Sequence, residues 1–562
     1  MVSIKIRYTM VTAMSDQPEV QPVHPVVTPE SQTPAATEPA QEPKPLRPLS
    51  SVMSLVVERF EKVTKQNHER KITVNPFVSK VASAYEKLRN AMEYREDEVI
   101  LRATIERILR RRLLLGGTAK STAEPLIREL IWARYMPDNS VPESAIVQVE
   151  ETIDLYLQLR LRVLEKHKVK VGEMNEWTYQ LMSSSLEHIL NPNTEKQTIA
   201  HFMYQVMRDD VTIVDDDEQT RDAQVYLGVR RAFARDDIAF LRFHLFQLYF
   251  GELSLGTIDH VVNSFKDGFK EINTQLTYPK KDRIYSYVKK RAAVFFILED
   301  ILRQNKGSLT ELLGDEERLR DAVYANCNTR YKSISVKVRT AIVRSFVFIL
   351  TTKVIFAFGI EGTYERIVYG SIQWASILLN TTIPPLLMIV VSLFIRTPGA
   401  DNTKLILNYI RQVIYDEQPR LGNQLVVKKK ADRPNGVFTA LWLSAFLISF
   451  GAIIYTLTRL HFNVISQGIF IFFITIVSFL AYRISMAAHV FSVGEKQDLL
   501  TPFIDFLFMP IIRVGRKLTQ SISQVNFTLF LFDFIIETPF KLIFAFVEQW
   551  FKFLHEKTED LG

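Results

Sequence analysis

Residues 377–395 read ILLNTTIPPLLMIVVSLFI, an apolar run without a charge that is interrupted by Asn-Thr-Thr and by two adjacent prolines. A helix needs about 20 predominantly apolar residues to cross the hydrocarbon core of a bilayer. The run is therefore typical of a membrane span rather than of a helix in a water-soluble core. The segments on either side of it decide how many spans accompany it.

Four segments of this kind lie in the C-terminal part of the chain. We predict spans over about 341–360, 372–395, 437–458 and 464–482. The first segment carries Arg344 near its start and Lys353 at greater depth, where an unpaired charge costs a few kcal/mol. We still predict that it spans, because the charges of the connecting segments then alternate.

Lysine and arginine are distributed unevenly among the connecting segments. The flank before the first span and the connection 396–436 are rich in both, whereas 361–371 and 459–463 hold one arginine each. Cytoplasmic connections carry the excess of lysine and arginine in membrane proteins. The pattern predicts that the N-terminal region, the connection 396–436 and the C-terminus are cytoplasmic.

The double proline has a local consequence for the second span. Pro384 and Pro385 lack the N–H groups that would bond the carbonyls of Asn380 and Thr381. We predict that the helix kinks or splits near the bilayer centre, and two interpretations remain open. The break is either a kink that fits helices together or a gate or solute site. The residues predicted for such a site are Lys353, Asn380, Thr381, Thr382, Pro384 and Pro385.

The region before the spans shows helical patterning. In DEVILRATIERILRRRLLL, residues 97–115, apolar side chains recur at helical spacing, and no alternating run is long enough to predict a sheet. We therefore predict an all-α chain with four parts: a disordered, proline-rich tail over 1–49, a cytoplasmic helical domain over 50–335, a membrane domain over 336–492, and amphipathic helices over 493–562.

The segments after the fourth span differ from the spans in their pattern of polar residues. Thr501-Pro502 and Thr538-Pro539 are typical helix starts, and polar residues such as Lys541 and Glu548 fall on one stripe of the last segment. We predict helices that lie in the cytoplasmic headgroup plane. Packing against the N-terminal domain is the alternative. A further pair of spans is disfavoured by charged residues in these segments.

Basic residues suggest contacts with an anionic membrane surface. The formal net charge is +7, and lysine and arginine near a bilayer are attracted to anionic headgroups. A plain solvated surface is the alternative interpretation. The residues predicted to contact lipid headgroups are Lys280, Lys281, Arg283, Lys428, Lys429 and Lys430.

No motif predicts catalysis, a cofactor or a metal site. The chain lacks HExxH, GxxxxGK[ST], GxGxxG after a strand and GxSxG. The acidic run at 215–218 lacks the spacing and glycine of an EF-hand, so we interpret it as the start of a helix. Cys327 is the single cysteine, which excludes an intramolecular disulfide. The chain has no zinc-finger or recognition-helix motif, so nothing in the sequence predicts nucleic-acid binding.

Two stretches resemble a known group of proteins: KVASAYEKLRNAMEYREDEVILRATIERILRRRL at 80–113 and NTTIPPLLMIVVSLFIRTPGADN at 380–402. They are similar to an uncharacterised family of large membrane proteins in small-genome candidate-phylum bacteria. The resemblance implies a multi-pass protein of the bacterial inner membrane and no activity, cofactor or catalytic residue.

Three functions follow as hypotheses. The first is a non-enzymatic scaffold or envelope-organising protein whose helical domain and proline-rich tail recruit protein partners. The second is a channel or transporter that uses the second span and Lys353. It would need a homo-oligomer, because four spans in one chain are few. A membrane-bound enzyme is the third, and it has no candidate residues.

Overall fold

A computed structural model describes residues 46–62, 69–80, 82–83, 86, 99–372, 374–395, 397–428, 436–493, 508–518, 546, 549–550 and 553–554. Over these residues the chain is all-α, as the sequence predicts, with four long apolar helices after an N-terminal helical region. The predicted tail over 1–49 lies almost wholly outside the described residues.

The helices before the spans form the N-terminal helical region. They are α1 (Ser51–Glu61), α2 (Ile100–Leu114), α3 (Ala119–Trp132), α4 (Ser144–Lys166), α5 (Val171–Leu190), α6 (Thr194–Met207), α7 (Glu218–Val229), α8 (Ile238–Phe250), α9 (Ile258–Leu276), α10 (Lys281–Lys289), α11 (Ala292–Gln304) and α12 (Leu309–Gly314). A 3-10 turn covers Arg208–Asp210, and a π-helical turn covers Arg230–Ala234.

The remaining elements follow in chain order. They are α13 (Glu316–Phe356), a π-helical turn (Ala357–Gly362), α14 (Thr363–Tyr369), α15 (Trp374–Phe394), α16 (Ala400–Tyr415), α17 (Gly436–Arg459) and α18 (Val464–Ala488). Two short strands, β1 (Val211–Ile213) and β2 (Leu425–Val427), pair in parallel with Val211 opposite Leu425.

Two hydrophobic cores hold the N-terminal region together. One lies among α1, α6, α10, α11, α16 and the start of α13, and the other lies among α2 to α5, α8 and α9. Helix α7 contributes Val225 to the first core and Leu227 to the second. Helix α7 therefore packs against both cores.

The acidic run at 215–218 begins a helix, as the sequence predicts. Asp217 is the N-cap of α7, and its side chain accepts a hydrogen bond from the backbone N–H of Thr220 at 2.7 Å. Tyr278 donates its hydroxyl to Asp216 at 3.2 Å. These carboxylates therefore cap a helix and bind a neighbouring tyrosine.

The connection 396–436 is not a simple surface loop. Helix α16 buries Ile406, Ile410 and Ile414 in the first core, and β2 pairs with β1. The charge pattern showed that this connection is basic, but its apolar stripe is what packs it onto the N-terminal region. The chain therefore returns from the second span to the same domain from which it entered the first.

The candidate spans form a bundle of three helices with a fourth at its side. Helices α13, α15 and α18 pack against one another, whereas α17 contacts α18 less extensively. Within the described part of the chain, the helices long and apolar enough to cross a membrane are Glu316–Val368, Ile377–Phe394, Thr439–Arg459 and Val464–Ala488. The first of these extends beyond residue 360, so most of the predicted connection 361–371 is helical.

The predicted split of the second span does not occur. Helix α15 runs from Trp374 to Phe394 with Pro384 and Pro385 inside it, and both prolines are buried. Two adjacent prolines remove only two donors from the helix. Because α13 and α18 pack along α15, the remaining hydrogen bonds and this packing keep the helix continuous.

The predicted interfacial helices over 493–562 lie largely outside the described residues. A helix over 508–518 is described, and it packs against α18. A Cβ atom on Gly515 would lie 2.0 Å from the carbonyl oxygen of Thr475, so only glycine permits this approach. Arg513 lies over the ring of Trp442 at 4.6 Å. This helix thus contacts both α17 and α18.

Candidate functional site within the spans

Three polar side chains meet inside the bundle of α13, α15 and α18. Lys353, Glu361 and Asn380 each expose 0% of their surface. The Lys353 ammonium donates to Asn380 Oδ1 at 2.6 Å and to Glu361 Oε1 at 3.3 Å. Asn380 Nδ2 donates to Glu361 Oε2 at 2.7 Å. Every pair in this triad is therefore bonded directly.

The triad extends to the backbone of α18. Asn380 Nδ2 also lies 3.2 Å from the carbonyl oxygen of Ser466, to which it donates. Asn380 therefore uses its oxygen for Lys353 and its amide group for Glu361 and Ser466. One side chain of α15 thus links α13 to α18.

The π-helical turn explains how Lys353 and Glu361 meet. Eight residues of an α-helix at 3.6 residues per turn would leave the two side chains about 80° apart around the axis. The wider turn over Ala357–Gly362 reduces this offset. Single π-helical turns inside α-helices are frequent at functional sites.

A second polar pair lies next to the triad. Glu365, on α14, exposes 0% of its surface and accepts a hydrogen bond from Asn463 Nδ2 at 2.9 Å. Asn463 is also the N-cap of α18, because its Oδ1 accepts from the backbone N–H of Ser466 at 2.8 Å. The start of α18 is therefore held by polar contacts from α14 and α15.

An aromatic ring completes the surroundings of the ammonium group. Lys353 Nζ lies 4.8 Å from the centroid of the Phe473 ring on α18. A desolvated cation over an aromatic face gains about 2 kcal/mol. Burial of an ion pair costs several kcal/mol per ion, and bonds to Glu361 and Asn380 offset that cost. The Lys353 ammonium is thus surrounded by a carboxylate, an amide oxygen and an aromatic ring.

The structure brings together only some of the predicted gating residues. Lys353 and Asn380 are in the triad, whereas Thr382 is exposed on α15. The hydroxyl of Thr381 is buried without a hydrogen-bond partner, as is that of Ser466. Pro384 and Pro385 are buried along the same helix. The gate or solute role of these residues remains a prediction.

The predicted headgroup residues that the structure describes lie in two places, at the start of α10 and directly after β2. Lys280 and Lys281 are half-buried at the start of α10, where Lys281 donates to the carbonyl of Leu276 at 2.6 Å. Arg283 and Lys428 are exposed. Lys429 and Lys430 lie outside the described residues. Contact with lipid remains a prediction for this set.

Sequence reasoning predicts Lys353 and Asn380 but misses the other residues of this polar cluster. Glu361 and Glu365 fall within the predicted connection 361–371, and Asn463 falls within the predicted connection 459–463. One indication was present in the sequence, because Glu361 follows Lys353 by about two helical turns. Ser466 and Phe473 gave no indication, since they lie in an ordinary apolar helix.

Comparisons with known proteins provide no relative. No family model, no curated protein and no solved structure matches this chain. The four long apolar helices therefore support a multi-pass membrane protein on physical grounds alone.

Proposed function

We propose that this chain is a non-enzymatic membrane scaffold that holds its helical domain firmly at the cytoplasmic face of the bacterial inner membrane. The observation that carries the proposal is the course of α13. Its first turns bury Leu319, Val323 and Cys327 in the first core of the domain, and later turns bury Val338 and Ile349 among the spans.

A second connection supports a firm attachment. Asn402, on α16, donates to the backbone carbonyl of Phe491 at 2.7 Å and accepts from the N–H of Val493 at 2.8 Å. The chain that leaves the last span is thereby bonded to a helix of the domain. A domain attached through both α13 and the end of α18 is suited to presenting a fixed surface to protein partners.

The orientation is tested by cysteine labelling. Cys327 is replaced by serine, and one cysteine is then introduced as Ser371→Cys or as Lys428→Cys, since both positions are exposed. A membrane-impermeant maleimide should label position 371 on intact spheroplasts and position 428 only after permeabilisation. The opposite result would show that the domain faces outward and would exclude a cytoplasmic scaffold.

Partner recruitment is tested in cells with a photoreactive amino acid at Leu255, which is exposed on the domain. The same probe at Ile355, on the exposed apolar face of α13, is the matched control. We expect defined protein adducts at Leu255 and none of the same adducts at Ile355. Identical adducts at both positions, or no adducts at Leu255, would contradict recruitment through the domain.

The buried triad supports ion- or proton-coupled transport as a second candidate. Ionisable residues inside a span commonly mark ion pathways. Purified protein in proteoliposomes would be assayed for proton and monovalent cation flux, with Lys353→Met as the variant and Lys404→Met, an exposed lysine of α16, as the control. A change of flux in Lys353→Met but not in Lys404→Met would favour transport. Equal background flux in the wild type and both variants would favour the scaffold.

A further inference from the structure

Helix α13 carries a row of basic residues along the stretch where it leaves the helical domain. Arg330, Lys337 and Arg344 follow one another at intervals of seven residues. Seven residues of an α-helix make nearly two turns, so the members of the row lie on one side of the helix, about 10.5 Å apart along its axis. The row therefore leads from the first core towards the spans.

The first member of the row has an acidic partner in the domain. Arg330 Nε donates to Asp300 Oδ2 at 2.6 Å, and Arg330 Nη2 donates to Asp300 Oδ1 at 2.6 Å. A bidentate pair of this kind is the strong form of an arginine–carboxylate contact. The charge of Arg330 is thus matched by a carboxylate of α11.

The second and third members of the row have no such partner. The side chains of Lys337 and Arg344 are exposed, and within the described part of the chain neither makes a hydrogen bond or an ion pair. Residues 322–360 contain no aspartate or glutamate. Helices α15, α17 and α18 contain none either. The described protein therefore leaves these two positive charges without a counter-charge.

The surface of α13 becomes apolar directly beyond Arg344. Val347 and Phe348 follow it by three and four residues, which makes them its neighbours in the next turn. Their side chains are 54% and 57% exposed. Adjacent exposed apolar side chains are typical of a surface that contacts a membrane or a partner. Arg344 thus lies at the boundary between a basic surface and an apolar one.

Helix geometry brings the two cations towards one level. Side chains of an α-helix tilt towards its N-terminus, and long basic side chains near the end of a span extend to the membrane surface. Arg344 therefore reaches back from the apolar surface towards Lys337. The opposite side of α13 is occupied, because Val338 and Ile349 are buried among the spans.

We propose that Lys337 and Arg344 bind the phosphate of an anionic phospholipid whose acyl chains lie along Val347 and Phe348. The phosphate supplies the missing counter-charge, and the chains cover the exposed apolar side chains. A soluble phosphate compound would match the charge alone. Such a lipid contact requires that α13 crosses a bilayer, as proposed above, but it requires neither partner recruitment nor the cytoplasmic orientation.

The experiment is native mass spectrometry of the full chain in detergent, titrated with phosphatidylglycerol or with phosphatidylcholine of identical acyl chains. We expect phosphatidylglycerol to bind at least about tenfold more tightly, because each cation near an anionic surface contributes about fivefold. Lys337→Gln/Arg344→Gln should abolish most of this preference. Lys266→Gln/Lys270→Gln removes the same charge from two exposed lysines of α9 and should leave the preference unchanged.

A second basic pair on the same helix tests whether position matters. Lys332 and Arg339 are exposed and also lie seven residues apart, about 140° around the axis from Lys337 and Arg344. Lys332→Gln/Arg339→Gln should reduce the preference less than Lys337→Gln/Arg344→Gln does. Equal losses in the two double variants would overturn the site, since they would indicate a general attraction of lipid to a basic helix.

The source of the phosphate is tested by competition. Glycerol 3-phosphate at millimolar concentration should not displace the bound lipid, because it lacks acyl chains. Lys337→Arg/Arg344→Lys should keep the preference, and unchanged unfolding midpoints without added lipid show that every variant is folded. Displacement by glycerol 3-phosphate, or equal affinity of the wild type for both lipids, would overturn the lipid contact. The cysteine labels report the orientation separately, so neither result would bear on it.

Discussion

The two halves of α13 expose opposite kinds of residue. In the first half, Leu319 and Val323 are fully buried and Arg320 pairs with Asp321 on the exposed side. In the second half, Lys353 is fully buried and Ile355, two residues further along, is 62% exposed. A single uninterrupted helix therefore changes its pattern part-way along its length.

The kind of side chain that each half of α13 exposes indicates the solvent to which that half is suited. In water, burial of apolar surface stabilises the helix against its neighbours. In hydrocarbon, apolar side chains on the outside cost nothing, and a polar group must find its partner inside the protein. The change from exposed charged residues to exposed apolar residues is the change expected of a helix that passes from water into hydrocarbon.

The largest expected effect comes from the lysine inside the bundle. Lys353→Met leaves Glu361 and Asn380 without their cation, and removing one partner of a buried ion pair costs about 3–5 kcal/mol. The measurement is the unfolding midpoint in SDS titrations of detergent-solubilised protein, followed by tryptophan fluorescence.

The double variant Lys353→Met/Glu361→Gln is the control for that loss. It removes both charges and keeps an amide near Asn380, so it should recover most of the lost stability. Equal destabilisation in the single and double variants would mean that packing around the lysine stem, rather than charge pairing, holds the bundle.

The next effect concerns the exposed face two residues away. Ile355→Arg places a charge towards hydrocarbon near the middle of the span, at a cost of about 2.5–3.5 kcal/mol on insertion scales. The readout is the fraction of protein in the membrane after expression. Val336→Arg, equally exposed but near the basic flank, should insert normally. Normal insertion of both variants would show that Ile355 does not face lipid.

A pH-dependent effect is expected for a partly buried acid of the helical domain, Glu187. Because the folded pKa of Glu187 is raised to about 8, the native state holds its proton above the unfolded pKa of 4.5. Wild-type stability therefore falls as pH rises from about 4.5 to 8, by at most about 1.4 kcal/mol per pH unit. Glu187→Gln should match the wild type at pH 4.5 and unfold at a higher temperature at pH 8.5. Parallel pH profiles for the two proteins would refute this assignment.

The smallest effect is expected on the water-exposed side of α13. Arg320 Nε lies 3.1 Å from Asp321 Oδ1, and the two side chains are 50% and 73% exposed. Exposed ion pairs contribute about 0–1 kcal/mol. Arg320→Ala should change the unfolding midpoint less than any variant above. A loss comparable to that of Lys353→Met would mean that the two halves of the helix meet similar surroundings.

The spans were predictable because the hydrophobicity of a segment depends only on the residues within that segment. The four apolar segments are visible in the sequence without knowledge of any contact, and Lys353 and Asn380 are conspicuous because their neighbours are apolar. Glu361 and Glu365 were not predictable as site residues, since their burial depends on the packing of α15 and α18 and on a π-helical turn.

The connection 396–436 shows the same limit in the aqueous region. Its lysines and arginines predicted a cytoplasmic side, and that orientation is a matter for the labelling experiment. Its apolar positions, such as Ile406 and Ile410, became part of the first core only because α15 brings the chain back to the domain that α13 leaves.

Composition and periodicity by themselves determined that this chain is helical, that four of its segments favour hydrocarbon, and that one of these segments contains a lysine. Tertiary structure alone decided that Lys353 meets Glu361 and Asn380, and that Arg230 meets Asp236 and Gln197. The reason is physical. Transfer of a segment into a bilayer depends on what that segment contains, whereas the cost of burying a polar group depends on which groups, from anywhere in the chain, lie within hydrogen-bonding distance.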